Sequence, residues 1–324
     1  DKYPLANFNC AFIEIEKWED LGELFYLLLV GTGVGFSVRD EIIAKMKPLR
    51  HDLKVEHATY EPINKEHRIE NTQLNVLENG YAKMYVGDSK EAWVQALTKY
   101  FELLQNDDIH TLKISYNSVR PAGEELKTFG GRASGYETLR DMFEGISKSI
   151  SGELDPLLDA PEAVTFSYSK LRPIHVMDMA NLIGYNVVAG GVRRTAQITL
   201  FDSDNFEVML AKYGINGIWD EQQHIKVINA LASRGYKEWA TKLATIPMND
   251  ANARPLHHRR MSNNSIVFES KPERDFLDMV FEIMQAEGEP GFVNLEEAKR
   301  RRPNAKGLNP CAEILLDSRG VCNL

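Results

Sequence analysis

Strand-like and helix-like stretches alternate along most of the chain, and that alternation restricts the fold more than any other feature. Asn9 to Ile15 reads as a strand, with Ala11, Ile13 and Ile15 on one face and Phe12 and Glu14 on the other. A helix follows from about Glu19, carrying Leu21, Leu24, Phe25 and Leu28 at helical spacing. Ser89 is a plausible N-cap for a helix with Trp93, Ala96, Leu97, Tyr100, Phe101 and Leu104 in one stripe. A strand over His110 to Tyr116 comes next, then helices from about Tyr136 to Ile150 and from Pro173 to Val188. Ile198 to Phe201 and Ile266 to Phe268 read as strands. Asp275 to Ala286 reads as a helix with Phe276, Met279, Val280, Ile283 and Met284 inward, and Phe292 to Asn294 as a short strand. Strands alternating with helices imply an α/β fold with parallel strands.

Glycines punctuate this pattern at informative places. The run Gly31-Thr32-Gly33-Val34-Gly35-Phe36 invites a dinucleotide-binding reading. Such a loop follows a strand and opens a helix; this one follows a helix and opens a strand. Its glycines are better suited to close backbone approach, to a ligand or to a packed strand. Lys127 to Gly135 is a donor-rich loop before a helix, suited to a phosphate contact or to a plain turn. Gly190 to Gln197 sets Arg193 and Arg194 between glycines and a strand, which suits nucleotide recognition or a solvated basic turn. Arg39 to about Tyr85 is polar and weakly periodic. Its histidines, His51, His57 and His67, match no metal spacing, and Lys299 to Arg302 reads as a solvated run.

The chain has 324 residues, enough for one large domain or two smaller ones. Its net charge of −9 argues against a nucleic-acid or membrane-surface binder. The longest apolar run, Leu27 to Val30, is far too short to span a bilayer. Three cysteines do not make a secreted disulfide framework, so a reducing, cytoplasmic compartment is expected. The sequence starts without Met and stops as a strand begins, and is read as a piece of a longer protein.

Two of those cysteines lie in the last stretch. Cys311 sits in Asn309-Pro310-Cys311-Ala312-Glu313, Cys322 follows, and Cys10 lies at the opposite end. Pro310 cannot belong to a central strand, so Cys311 is placed on a loop entering the apolar run Ile314-Leu315-Leu316. Asp317 to Gly320 is turn chemistry, and Val321-Cys322 starts the way back. Asn309, Cys311 and Glu313 alternate, so an extended backbone would point an amide, a thiol and a carboxylate the same way. The plain alternative is that Cys311 is a small core residue.

On these residues the chain resembles the ribonucleotide reductases, and within them the adenosylcobalamin-dependent class. The likeness is carried by Asn309 to Glu313, Cys322, Asn9-Cys10, Gly31 to Phe36, Lys127 to Gly135, Gly190 to Gln197, Arg260 to Ser265 and Gly288 to Asn294. It leans towards the monomeric enzymes that reduce ribonucleoside triphosphates. The resemblance implies a ten-stranded α/β barrel of two five-stranded parallel half-sheets. A central finger loop, Asn309 to Glu313 here, would carry a thiyl cysteine. It implies first barrel elements over 1–41, an insertion over 42–118 forming an allosteric effector region, and barrel again over 119–324. Ala312 stands where family members often have glycine; both side chains are small, so no consequence is expected.

The resemblance further implies residue roles, and the chemistry asks for the same residue types. Replacing a ribose 2′-OH by hydrogen starts with abstraction of the C3′ hydrogen, a task for a Cys311 thiyl. Glu313 would accept the 3′-OH proton, and the Asn309 amide would hold a ribose oxygen as charge develops. Cys10 and Cys322 would be the reducing dithiol, which requires their Cα atoms within about 7 Å. The backbone at Asn9 and Gly33 would touch substrate. Arg193, Arg194 and Gln197 would carry effector identity to the substrate base. Adenosylcobalamin is the implied cofactor, with no protein-bound metal site. The implied partners are a ribonucleotide, a deoxynucleotide effector and a thioredoxin-type reductant, with no nucleic acid or membrane; a monomer is plausible. Most of the cobalamin contact surface and the shuttle cysteines are expected after Leu324. Three alternatives stand beside this reading: a di-iron-type large subunit taking its radical from a partner metalloprotein, a non-catalytic nucleotide-binding regulatory module, and a glycyl-radical enzyme, whose C-terminal motif is not in this sequence.

Overall fold

The computed structural model describes residues 7–125, 132–189 and 196–323. Its centre is a six-stranded sheet. Five strands run parallel, in the order Gly291–Asn294, Ser262–Phe268, Gln197–Asp202, Gly33–Ser37, Cys10–Glu14. Val321–Cys322 adds a sixth strand antiparallel to Cys10–Glu14. This is one parallel half-sheet of the expected architecture with an antiparallel strand at its edge; among the described residues the sheet does not close into a barrel.

Strand periodicity gives the sheet two faces. Ala11, Ile13, Val34, Phe36, Phe201 and Ile266 join a large core shared with the helices. Cys10, Phe12, Ile198, Leu200, Val267 and Val293 form a smaller cluster on the other side. On the helix side, Glu19–Leu29 and Pro173–Ala189 pack against each other. Pro173 takes the first helical position, where its missing N–H costs nothing. Most of that helix is buried, which suits its nearly all-round apolar sequence.

Residues within the expected insertion build a second sheet, in the order Lys54–His57, Thr111–Ser115, Tyr81–Tyr85, Gln73–Val76. The helix Lys90–Leu103, capped by Ser89 through the Ala92 N–H at 3.0 Å, packs on Glu19–Leu29 and joins the two sheets into one apolar core. Three of these strands fall in the stretch that reads as polar and aperiodic. Lys54–His57 and Gln73–Val76 contain no fully buried residue, so they lack the apolar alternation that marks a half-buried strand. Among the described residues no helix is long and apolar enough to cross a membrane.

Candidate active site: three thiols at one end of the sheet

The register of the edge strands sets Cys322 directly opposite Cys10. Opposed Cα atoms in an antiparallel pair lie about 4.5–5.5 Å apart, inside the range a disulfide needs. Both sulfurs are buried and all three cysteines are free thiols. A turn enforces the register. Gly320 N–H donates to Asp317 O at 2.9 Å, Phe12 N–H to Gly320 O at 3.0 Å and Arg319 N–H to Phe12 O at 2.8 Å. Arg319 has φ 61°, a left-handed conformation unusual for a long side chain. Its guanidinium compensates by donating to the buried carboxylate of Asp20 at 2.8 Å and to Glu23 at 3.1 Å, tying the turn to the first helix. The alternation of residue types gives no hint of this role for Arg319.

The third thiol is delivered by a hairpin. Gly307–Leu308 pairs antiparallel with Leu315–Leu316, and residues 309–314 connect them. The hairpin lies on the smaller face of the sheet, with Leu308 and Leu316 against Phe12, Ile198 and Leu200. Glycines let it approach. A Cβ at Gly35 would run into the Leu308 carbonyl oxygen, and one at Gly307 into the Phe12 ring. A Cβ at Gly33 would come within 3.1 Å of the Pro310 ring. Of the two readings of the glycine run, the packed strand is what these glycines receive.

At the hairpin tip the chain turns rather than extends, so the alternation argument for Asn309, Cys311 and Glu313 is wrong in its geometry. Ala312 N–H donates to Asn309 O at 2.9 Å, and Asn309 N–H to Ile314 O at 3.3 Å. Ala312 has φ 65°. The expectation that alanine for glycine is without consequence is therefore corrected: a Cβ in the left-handed region costs roughly 1–2 kcal/mol. The turn leaves Cys311 and Glu313 exposed and Asn309 fully buried. The Asn309 Oδ1 accepts from Ile314 N–H at 3.0 Å, and its Nδ2 donates to the Cys10 Sγ at 3.7 Å. Both ends of the amide are engaged inside the protein when no substrate is bound.

The electrostatics favour thiols over thiolates. Burial pushes the Cys10 thiol up; the Asn309 amide pulls the other way, and Cys322 and the Glu313 charge raise it further. Slight burial, then the charges of Glu313 and Cys10, raise Cys311 as well. A thiolate nucleophile needs the opposite shift. The directly opposed Cys10 and Cys322 thiols suit two-electron chemistry, and the S–H of Cys311 suits hydrogen-atom chemistry.

Asn9 and Gly33 border the same end of the sheet. Asn9 N–H donates to Cys322 O at 3.0 Å, and Gly33 N–H to Asn9 O at 2.9 Å. Arg193, Arg194 and most of Lys127 to Gly135 lie outside the described residues. Gln197 opens its strand on the opposite face from the thiols. Its amide donates to Ala180 O at 3.0 Å and accepts from Asn181 at 3.3 Å, in a buried network with Thr199, Ser262 and Asn264. Gln197 is thus fully engaged within the protein at the start of its strand. A cleft of about 310 Å³, lined by Lys212, Asn216, Trp219, Arg260, Glu287 and Glu289 among others, contains none of the cysteines. Among the described residues no group of three or more His, Cys, Asp or Glu side chains is arranged to hold a metal ion.

No family model matches the chain. It is 30% identical over 325 residues to an adenosylcobalamin-dependent ribonucleoside-triphosphate reductase of Lactobacillus helveticus, covering 93% of this chain and 37% of that protein. It is 27% identical to the enzyme of that description from Lacticaseibacillus paracasei, covering 93% and 36%. A putative enzyme of the same description from Mycobacterium phage D29 is 26% identical, covering 98% and 43%. A crystal structure of a B-12 dependent (class II) ribonucleotide reductase superposes with a TM-score of 0.66 at 20% identity, covering 98% of this chain and 43% of that one. The fold is shared with that structure, and the chain resembles these reductases over nearly its whole length. It spans little more than a third of the length of the Lactobacillus helveticus and Lacticaseibacillus paracasei relatives.

Proposed function

We propose that this chain carries the substrate-reducing thiols of an adenosylcobalamin-dependent ribonucleotide reductase acting on ribonucleoside triphosphates. The observation that carries the reading is the pairing of Cys10 with Cys322, from opposite ends of the sequence, beneath the loop that presents Cys311. A regulatory module would need the glycines and arginines but not this convergence.

The residues divide the work by chemistry. Cys311, as a thiyl, takes the hydrogen from C3′ and later returns it. Glu313, exposed beside it, accepts the 3′-OH proton. The 2′-OH leaves as water after receiving a proton from the dithiol. Cys10 and Cys322 then give up two electrons and their two protons in all and form one S–S bond, so one C–O bond is exchanged for one C–H bond. Exposure of Cys311 fits a radical initiator that reaches its sulfur from outside the hairpin; adenosylcobalamin, when bound, supplies that radical. A thioredoxin-type reductant would reset the disulfide, and a chain with three cysteines suits the reducing cytoplasm. A deoxynucleotide effector would act through the segment containing Arg193 and Arg194, with residues 42–118 contributing its site within a monomer.

The test follows tritium at C3′ and release of free base in the full-length protein. Cys311→Ser is expected to abolish C3′ exchange, because a serine O–H is too strong to form the radical readily. Cys10→Ser or Cys322→Ser should still exchange C3′ hydrogen but release base instead of forming deoxynucleotide. Exchange that survives in Cys311→Ser and vanishes in Cys322→Ser would reverse the assignment of thiyl and reductant. Failure of the full-length protein to bind cobalamin would move the reading to the di-iron class.

A further inference from the structure

We infer that Asn309 is a positioning residue that holds the Cys311 loop in place only while Cys10 is reduced. The inference rests on the thiol roles proposed above and adds a coupling between them. Asn309 is 0% exposed, so no water can replace a lost partner. Its backbone makes two of the loop's hydrogen bonds, and its Oδ1 makes a third by accepting from Ile314 N–H. Its Nδ2 reaches across from the hairpin tip to the sheet and donates to the Cys10 sulfur at 3.7 Å. The amide therefore closes the loop with one end and docks it with the other.

The docking end depends on the state of the sulfur. A thiol sulfur keeps its lone pairs free and can rotate towards the amide. Oxidation of the pair breaks two S–H bonds and forms one S–S bond, while two protons and two electrons leave for the oxidant. The Cys10 sulfur must then turn to about 2.05 Å from the Cys322 sulfur. The Asn309 donor loses its acceptor geometry in a site without water, which is unfavourable. The loop it holds is already strained by the positive φ of Ala312, and it adjoins the exposed Cys311. Loss of the docking bond frees a loop that gains by relaxing. In the proposed cycle, one turnover oxidises the pair and disarms the aim of Cys311 until the dithiol is restored.

The test measures Cys311 alkylation by iodoacetamide in the full-length protein, with peptide mass mapping to assign each sulfur. Reduced protein is compared with protein oxidised by diamide, which takes up the two electrons and two protons to become a hydrazine. The Cys311 rate in the wild type is expected to differ at least about threefold between the two states. Asn309→Asp keeps the oxygen for Ile314 N–H and removes the amide donor; Asn309→Leu removes both. Each is expected to alkylate at the same rate in both states, with circular dichroism confirming that at least the aspartate variant is folded. An unchanged Cys311 rate on oxidation of the wild type would overturn the inference. So would redox dependence that survives in Asn309→Asp, or a Cys10–Cys311 bond in place of Cys10–Cys322. No cobalamin or nucleotide enters these measurements, so their failure leaves the C3′ tritium test standing; failure of that test alone leaves the redox dependence of the loop but removes its place in the catalytic cycle.

Discussion

On the helix side of the parallel sheet, Ala11, Ile13, Val34 and Phe36 lie in a core that also takes in the long helices, among them Glu19–Leu29, Lys90–Leu103, Glu137–Ser151 and Pro173–Ala189. That side also buries a charge cluster. Arg259, fully enclosed, donates to Asp178 at 2.7 and 2.9 Å and to Asp155 at 2.7 Å; Arg254 adds a 2.6 Å bond to Asp155, and His258 lies 2.7 Å from Asp178. On the hairpin side the buried apolar cluster is short, two of its members are Cys10 and Cys322, and the packed element is a hairpin with two-residue strands. Two non-glycine residues with positive φ, Ala312 and Arg319, stand in the turns there. One face is bonded redundantly. The other holds strained turns and an exposed thiol in place with few contacts, as sites of chemistry commonly do.

The largest effect that would sharpen this contrast is loss of the enclosed guanidinium. Arg259→Leu removes the guanidinium shared by two buried carboxylates, leaving Asp155 with Arg254 and Asp178 with His258, and is expected to cost about 3 kcal/mol, read as a shift in urea midpoint. The same cluster sets a pH signature. Burial alone would raise the Asp178 carboxyl, but Arg259, with His258, overcomes that and holds it below the ordinary carboxylate range. Its contribution is thus present above the unfolded value near pH 4 and decays as pH falls below it. The stability gap between wild type and Asp178→Asn should be flat from pH 7 to 5 and shrink in stronger acid; a gap that widens there contradicts the cluster's role.

Gly35→Ala probes the other face. Its Cβ would meet the Leu308 carbonyl, so the hairpin must shift. Overpacking of this kind costs about 1–3 kcal/mol, while misplacing a reacting group by an ångström can cost about 10²-fold in rate. If the proposed function holds, nucleotide reduction by the full-length protein should fall far more than the melting temperature does; equal, modest losses would break the contrast. The smallest effect is a gain. Ala312→Gly relieves the positive φ and is expected to stabilise by about 0.5–1 kcal/mol after the entropy glycine adds to the unfolded chain, visible as a small rise in melting temperature.

The helix side was largely legible because its elements are long and its periodicity is complete. Helices expected at 136–150, 173–188 and 275–286 occur at Glu137–Ser151, Pro173–Ala189 and Arg274–Glu287. No helix is expected from the sequence at Glu221–Ser233 or Lys237–Ala244, between the strands at Gln197 and Ser262, although both form. The charge cluster was hidden as well. Asp155, Asp178, Arg254 and Arg259 come from separate segments, and a charged residue in a polar stretch reads as solvated until a partner appears.

The residue types fixed much by themselves. Three cysteines, the glycines at 33 and 35 and the proline before Cys311 restrict the chemistry and demand close backbone approach. Strand periodicity assigned Ala11 and Phe12 to opposite faces, as observed. Only the tertiary structure decided that Asn309 grips Cys10, that Gln197 faces the helices, that Ala312 is left-handed and that Arg319 locks the edge register. Periodicity is a local property of the backbone and can be read along the chain. The hand of a turn and the partner of a buried amide are set by what packs across it, and for Asn309 that partner lies 299 residues away.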